Sequence, residues 1–92
     1  QIVAERAVKD NVQRLNVLNF GGIDRENYPI PLPEKAVCYR EVLSTDHMAF
    51  GGKGRLNEGV LLPVTDPHLE DKPALRIRVP ALSAVILEPV KE

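Results

Sequence analysis

The chain is predicted to be all-β, an antiparallel β-sandwich of seven or eight short strands. Three observations lead there. Eight prolines and six glycines in 92 residues punctuate the sequence at spacings that suit strands and leave few windows long enough for a stable helix. Leu75-Arg76-Ile77-Arg78-Val79 alternates apolar and charged residues without a fault, the period-two pattern of a half-buried strand. The remaining apolar runs are short and separated by turn residues every few positions, as in antiparallel sandwiches and barrels.

Taken in order, Ile2 to Val8 is predicted as the first strand and Lys9-Asp10-Asn11 as a turn. Val12 to Phe20 follows, with Leu15 and Val17 facing inward and the opposite face partly solvated, ending at Gly21-Gly22. Asn27 to Pro33 carries proline at every second position (Pro29, Pro31, Pro33), so one side lacks N–H groups; this makes it an edge strand or a polyproline-like lip. Glu34-Lys35 turns the chain into a strand from Ala36 to Leu43, which empties into the glycine-rich stretch Gly51-Gly52-Lys53-Gly54. Gly59 to Val64 reads as another short strand, Asp66 to Pro73 as a polar loop, Leu75 to Val79 as the clean strand, and Leu82 to Val90 as a final, mostly buried one.

Composition restricts function. Twelve basic and thirteen acidic residues leave a formal charge of −1, with no basic stripe to attract phosphates, so nucleic acid is not an expected partner. The longest strongly apolar run, Ala81 to Leu87, is far shorter than the roughly 20 residues that span a bilayer. The first residues show neither the basic start nor the apolar run of a signal peptide, and the chain opens inside an expected strand, as a piece of something longer would. No membrane partner and a cytoplasmic location are expected. Cys38 is the only cysteine, so no intramolecular disulfide can form; between Val37 and Tyr39 it reads as a small core residue in a reducing compartment.

Catalytic constellations are not expected within these 92 residues. A retaining glycosidase needs two carboxyl groups about 5 Å apart, one of them held protonated. Asp24 with Glu26, or Glu70 with Asp71, sit in polar loops with no apolar pocket in view. His47 and His68 have no partners at metal-ligand spacing, so no metal and no cofactor are expected. Ser44, Thr45, Thr65 and Ser83 lack a Gly-x-Ser-x-Gly elbow. The Gly51-to-Arg55 stretch lacks the spacing and the following Ser or Thr of a phosphate loop. Sugar sites present aromatic faces, yet there is no Trp; Phe20 and Tyr39 read as core, leaving Tyr28 and Phe50 as candidate carbohydrate contacts.

One set of motifs goes further. Asn19-Phe20, Arg25-Glu26-Asn27-Tyr28, Leu32-Pro33, Tyr39-Arg40-Glu41-Val42-Leu43-Ser44-Thr45-Asp46, Phe50-Gly51-Gly52 and the closing Val79-Pro80-Ala81-Leu82-Ser83-Ala84-Val85-Ile86-Leu87 follow one another in a fixed order. This order resembles the C-terminal all-β domain of alpha-1,4-glucan branching enzymes, in the alpha-amylase superfamily. The resemblance implies one C-terminal-type β-sandwich over residues 1–92, with the catalytic (β/α)₈ barrel lying outside it. That barrel would be the partner, and the parent would cut α-1,4 bonds and remake them as α-1,6 in glycogen or starch. No catalytic residue carries over. The implied role is to pack against and stabilise the barrel through the Asp46-to-Gly54 loop, with Arg40, Asp46, Gly51 and Gly52 as docking residues. Two alternatives stand beside it: weak attachment to α-glucan through Tyr28 or Phe50, and a free-standing sandwich that mediates protein contacts.

Overall fold

A computed structural model describes residues 1–32 and 37–90. The expected turn at Glu34-Lys35, Pro33 and the expected strand start at Ala36 lie outside them. Among the described residues there are seven strands: β1 (Ile2–Lys9), β2 (Val12–Asn19), β3 (Arg25–Pro31), β4 (Tyr39–Ser44), β5 (Val64–Asp66), β6 (Lys72–Val79) and β7 (Ser83–Pro89). They form two antiparallel sheets, ordered β1-β2-β7-β4 and β3-β6-β5. Among the described residues the only helical pieces are single 3₁₀ turns at Met48–Phe50 and Pro67–Leu69.

The hairpins follow from turn chemistry. Asp10 and Asn11 join β1 to β2 with φ of 52° and 65°, a left-handed pair that Asp and Asn tolerate better than other side chains. The pairing then runs without a slip from Ile2 opposite Asn19 to Lys9 opposite Val12. Glu70 and Asp71 repeat the device, with φ of 56° and 58°, where the chain enters β6. Pro29 and Pro31 survive in β3 because it is an edge strand, paired with β6 alone.

Inward residues of both sheets build one core. Leu15 and Val17 of β2, Tyr39 of β4, and Val85 and Leu87 of β7 meet Ile30 of β3 and Leu75, Ile77 and Val79 of β6. Each large aliphatic side chain so buried stabilises the fold by about 1.5–3 kcal/mol relative to exposure.

Three local expectations need correction. Phe20 is not core: β2 ends at Asn19, which takes the inward position, and Phe20 is 64% exposed beyond the strand end. Cys38 is half-buried rather than core. The Gly59-to-Val64 strand shrinks to one bridge, with Tyr39 and Leu61 exchanging both backbone bonds at 3.0 and 2.8 Å, before β5 begins at Val64. Pro63, with no N–H to offer, separates the two.

Candidate functional site

β4 delivers the chain into the loop that carries most of the expected site residues. Ser44 Oγ accepts from the Asp46 amide at 3.2 Å and begins the turn. Asp46 is buried, and its carboxylate accepts from the amides of Lys53 at 3.4 Å and Arg55 at 2.9 Å. Its carbonyl takes the Gly54 amide at 2.7 Å. Inside this ring, Met48–Phe50 makes a 3₁₀ turn capped by His47, whose Nδ1 accepts from the Ala49 amide at 3.0 Å. Gly51 ends the turn at φ 83°, and a Cβ on Gly52 would lie 2.1 Å from the Asp46 carbonyl oxygen. Only glycine fits at position 52. The loop is therefore wound around Asp46, and Gly51 and Gly52 are required by that winding.

Beyond the loop, two side chains sew the sandwich together. Arg55 pairs with Asp24 and sits 3.6 Å from Asp46, and Asp24 also accepts from the Ala81 amide at 2.7 Å. This links the loop to the β2–β3 connection and to the β6–β7 turn. Asn57 does more. Its Oδ1 accepts from the Arg78 amide at 2.8 Å while its Nδ2 donates to the Arg78 carbonyl at 2.8 Å. A side-chain amide thus stands in for a strand neighbour beside β6, past the reach of the three-residue β5. The same Nδ2 donates to Glu41 Oε1 at 3.0 Å, and the Asn57 amide to Oε2 at 3.3 Å, so one residue ties β4 to β6 across the two sheets.

Glu41 lies beside a cleft of about 490 Å³, also lined by Arg40, His47, Phe50, Leu56 and Asn57. Burial pushes its carboxyl above the usual carboxylate value, against the opposing pull of the Asn57 bonds and of His47. Phe50 is 63% exposed and meets the His47 ring edge-on, centroids 6.2 Å apart. Arg40 is exposed on β4. Tyr28, the other aromatic candidate, belongs to β3 and packs against the core. The structure therefore gathers Asp46, Phe50, Gly51 and Gly52 beyond the C-terminal end of β4, sets Arg40 at the start of that strand, and leaves Tyr28 on the other sheet.

Three of the four carboxyl groups weighed as acid–base pairs are engaged otherwise. Asp24 holds Arg55, Glu26 meets Arg78 at 2.9 Å, and Glu70 meets Lys72 at 3.7 Å on the surface. Among the described residues no three His, Cys, Asp or Glu side chains gather as metal ligands, and no helix is long and apolar enough to cross a membrane. Cys38 lines a second open cleft with Val37, Val60 and Pro63. The cross-linking roles of Asp24, Asn57 and Asp66 carry no mark in the sequence, because their partners lie ten to 57 residues away.

Comparison with known proteins agrees with this architecture. Residues 1–90 match the family described as alpha amylase, C-terminal all-beta domain. The chain is 45% identical over 89 residues to the 1,4-alpha-glucan branching enzyme GlgB of Desulfitobacterium hafniense (strain Y51), covering 96% of this chain and 14% of that protein. It is 35% identical over 75 residues to the GlgB of Bacillus cytotoxicus, and 32% to that of Bacillus mycoides (strain KBAB4), covering 82% of this chain and 12% of each. The chain thus spans about one-seventh of the length of the curated relatives it matches. It belongs to the family of alpha amylase C-terminal all-beta domains, of the kind that branching enzymes carry.

Proposed function

We propose that residues 1–92 form a single non-catalytic domain of a 1,4-alpha-glucan branching enzyme, and that the domain stabilises the parent by packing against its catalytic barrel. One observation carries the reading: Asp46, Arg55 and Asn57, polar groups at the candidate site, are turned inward to build the domain. Asp46 organises its own loop, Arg55 joins that loop to Asp24, and Asn57 ties Glu41 to β6. A site built to act on a substrate leaves acids or donors aimed at open space. The parent would transfer α-glucan segments from α-1,4 to α-1,6 linkage in glycogen or starch, in the cytoplasm, where the single thiol of Cys38 stays reduced.

The test has two arms. Residues 1–92 alone should show no branching activity in an iodine-stain assay, and the parent lacking them should unfold several degrees lower than the whole enzyme. An unchanged unfolding temperature would remove the stabilising role.

A second reading has its own support in the exposed Phe50 ring, set beside Arg40 and Glu41 at the cleft. Aromatic faces stack on pyranose C–H groups, and a weak glucan contact here would raise the local substrate concentration. In the whole enzyme, Phe50→Ala would then reduce retardation in a glycogen-containing native gel. Equal retardation of the two proteins would leave only the packing role.

A further inference from the structure

The outward rows of the four-stranded sheet can be followed through its register. Val3 lies opposite Leu18, and Leu18 opposite Ala84; in the next row Glu5 lies opposite Asn16, Asn16 opposite Ile86, and Ile86 opposite Leu43. These residues face away from the Leu15–Val17–Val85–Leu87 core, because side chains alternate along a strand. Val3, Leu18, Ala84, Ile86 and Leu43 thus form an aliphatic surface drawn from four strands, bordered by Glu5 on β1 and, at one end, by the Arg14–Glu88 pair at 3.0 Å and by Arg40, which stands opposite Glu88. At its centre is the side-chain amide of Asn16. Asn16 Oδ1 is shielded from water by its neighbours and accepts no hydrogen bond. Such an acceptor costs about 1–3 kcal/mol, and few survive in native proteins without a partner.

The other outward face is satisfied within the domain. There Arg76 donates to Asp66 at 2.7 Å and to the Asn27 carbonyl at 3.0 Å, and Arg78 meets Glu26 at 2.9 Å.

We infer that the outer face of the β1-β2-β7-β4 sheet, centred on Asn16, is the surface on which the rest of the parent polypeptide docks, and that this partner brings an aliphatic patch with one N–H donor aimed at Asn16 Oδ1. The inference rests on the reading that the domain packs against its parent and adds the face. About six-sevenths of the length of the curated relatives lies outside the segment matched here, so the parent chain has ample surface to cover this one. An aliphatic face ringed by charge and holding one orphan acceptor is the pattern of an interface with its partner removed. The Asp46-to-Gly54 loop, wound on itself, would then flank the contact, with Leu43 and Val42 leading from one to the other.

Thiol labelling in the whole enzyme tests the face. Val3, Leu43 and Val64 are exposed to nearly the same degree in the domain (40%, 43% and 42%), and Val64 pairs with Ala74 on the face that carries Arg76. Single variants Val3→Cys, Leu43→Cys, Val64→Cys and Phe50→Cys would be labelled natively with a maleimide and quantified by peptide mass spectrometry. Matched exposure makes the isolated geometry neutral, so a difference in rate reads coverage by something else. The expected result is labelling at positions 3 and 43 slower by about tenfold or more than at 64 and 50. Slow labelling at Phe50→Cys with fast labelling at 3 and 43 would overturn this face and leave packing through the loop intact. Fast labelling at all four would overturn the packing reading as well. Protection at 3 and 43 that disappears on dilution would assign the face to a second copy, and protection seen only with glycogen would assign it to glucan; either outcome overturns the inference.

Discussion

On the outer face of the three-stranded sheet, Arg76 meets Asp66 and Arg78 meets Glu26; on the outer face of the four-stranded sheet, the comparable positions are Leu18, Ala84, Ile86 and Leu43. Both faces belong to sheets whose other side fills one shared core. A charged residue on the first face finds an opposite charge from its own domain. The single amide in the second, Asn16, has an oxygen with no partner at all. On the inferred docking, one surface is finished in water, and the other only when something apolar covers it. Substitutions on the two faces should therefore behave differently in kind as well as in size.

The largest effect is expected where the finished face is rooted. Asp66 is fully buried, accepts from Arg76 at 2.7 Å and caps the Pro67–Leu69 turn by accepting from the His68 amide at 2.8 Å. Asp66→Ala strips the cap and leaves a partly buried guanidinium without its counter-charge, for a loss of about 3 kcal/mol. The loss, measured as a urea midpoint of the whole enzyme, should not depend on any docking, since every partner lies within this domain. A loss below about 1 kcal/mol would show that water replaces the carboxylate, and that this face is less self-contained than its bonds suggest.

A direct contrast comes next. Ile86→Asp places a charge in the middle of the aliphatic face, and Arg78→Ala removes one from the opposite face. If the first face is covered, the aspartate is desolvated and costs about 2 kcal/mol in the whole enzyme. Arg78 and Glu26 are both largely open to solvent, so the loss of their pair should fall within about 0.5 kcal/mol. Thermal unfolding of the two variants side by side checks the ordering. Equal, small effects would mean that Ile86 faces water in the parent too.

This contrast was only partly readable from residue order. β6 was plain, because Leu75, Ile77 and Val79 alternate with two arginines and nothing else competes. β2 gave up its inward pair, Leu15 and Val17, but not its end. Phe20 outranks Asn19 in hydrophobicity, and only the bonds from Asn19 Nδ2 to the Ile23 and Val79 carbonyls explain why the amide is the one inside. β7 looked buried on both sides, since Ala84 and Ile86 are as apolar as Val85 and Leu87. A sequence cannot separate core from a face awaiting a partner, because both select the same side chains. The winding of the loop was hidden for a related reason. Gly51 and Gly52 stood out only as part of a glycine-rich stretch, whereas Gly52 is there because the Asp46 backbone passes too close for any Cβ. The Gly51 and Gly52 positions therefore report on the loop's own fold, and their exchange for larger residues would say little about docking.

The smallest effect concerns the seam between the two faces, where Glu41 meets Asn57. Burial disfavours the ionised carboxyl, and two bonds from Asn57 together with the nearby His47 favour it; burial is the larger influence, and the carboxyl is raised above its ordinary value of 4.5. The folded protein then holds the Glu41 proton more tightly than the unfolded chain does. Between the ordinary value and the raised one the native state binds more protons, so stability falls as pH rises through that interval and stays at the lower level above it. Glu41→Gln abolishes the titration while keeping one acceptor for Asn57. The difference in unfolding midpoint, native enzyme minus Glu41→Gln, should decline as pH climbs from about 4.5 and then level off. Subtracting the variant removes every other titrating group from the comparison. A difference that grows with pH instead would mean that the Asn57 bonds outweigh burial, and that the seam is held by a favoured charge rather than by an amide tolerating one.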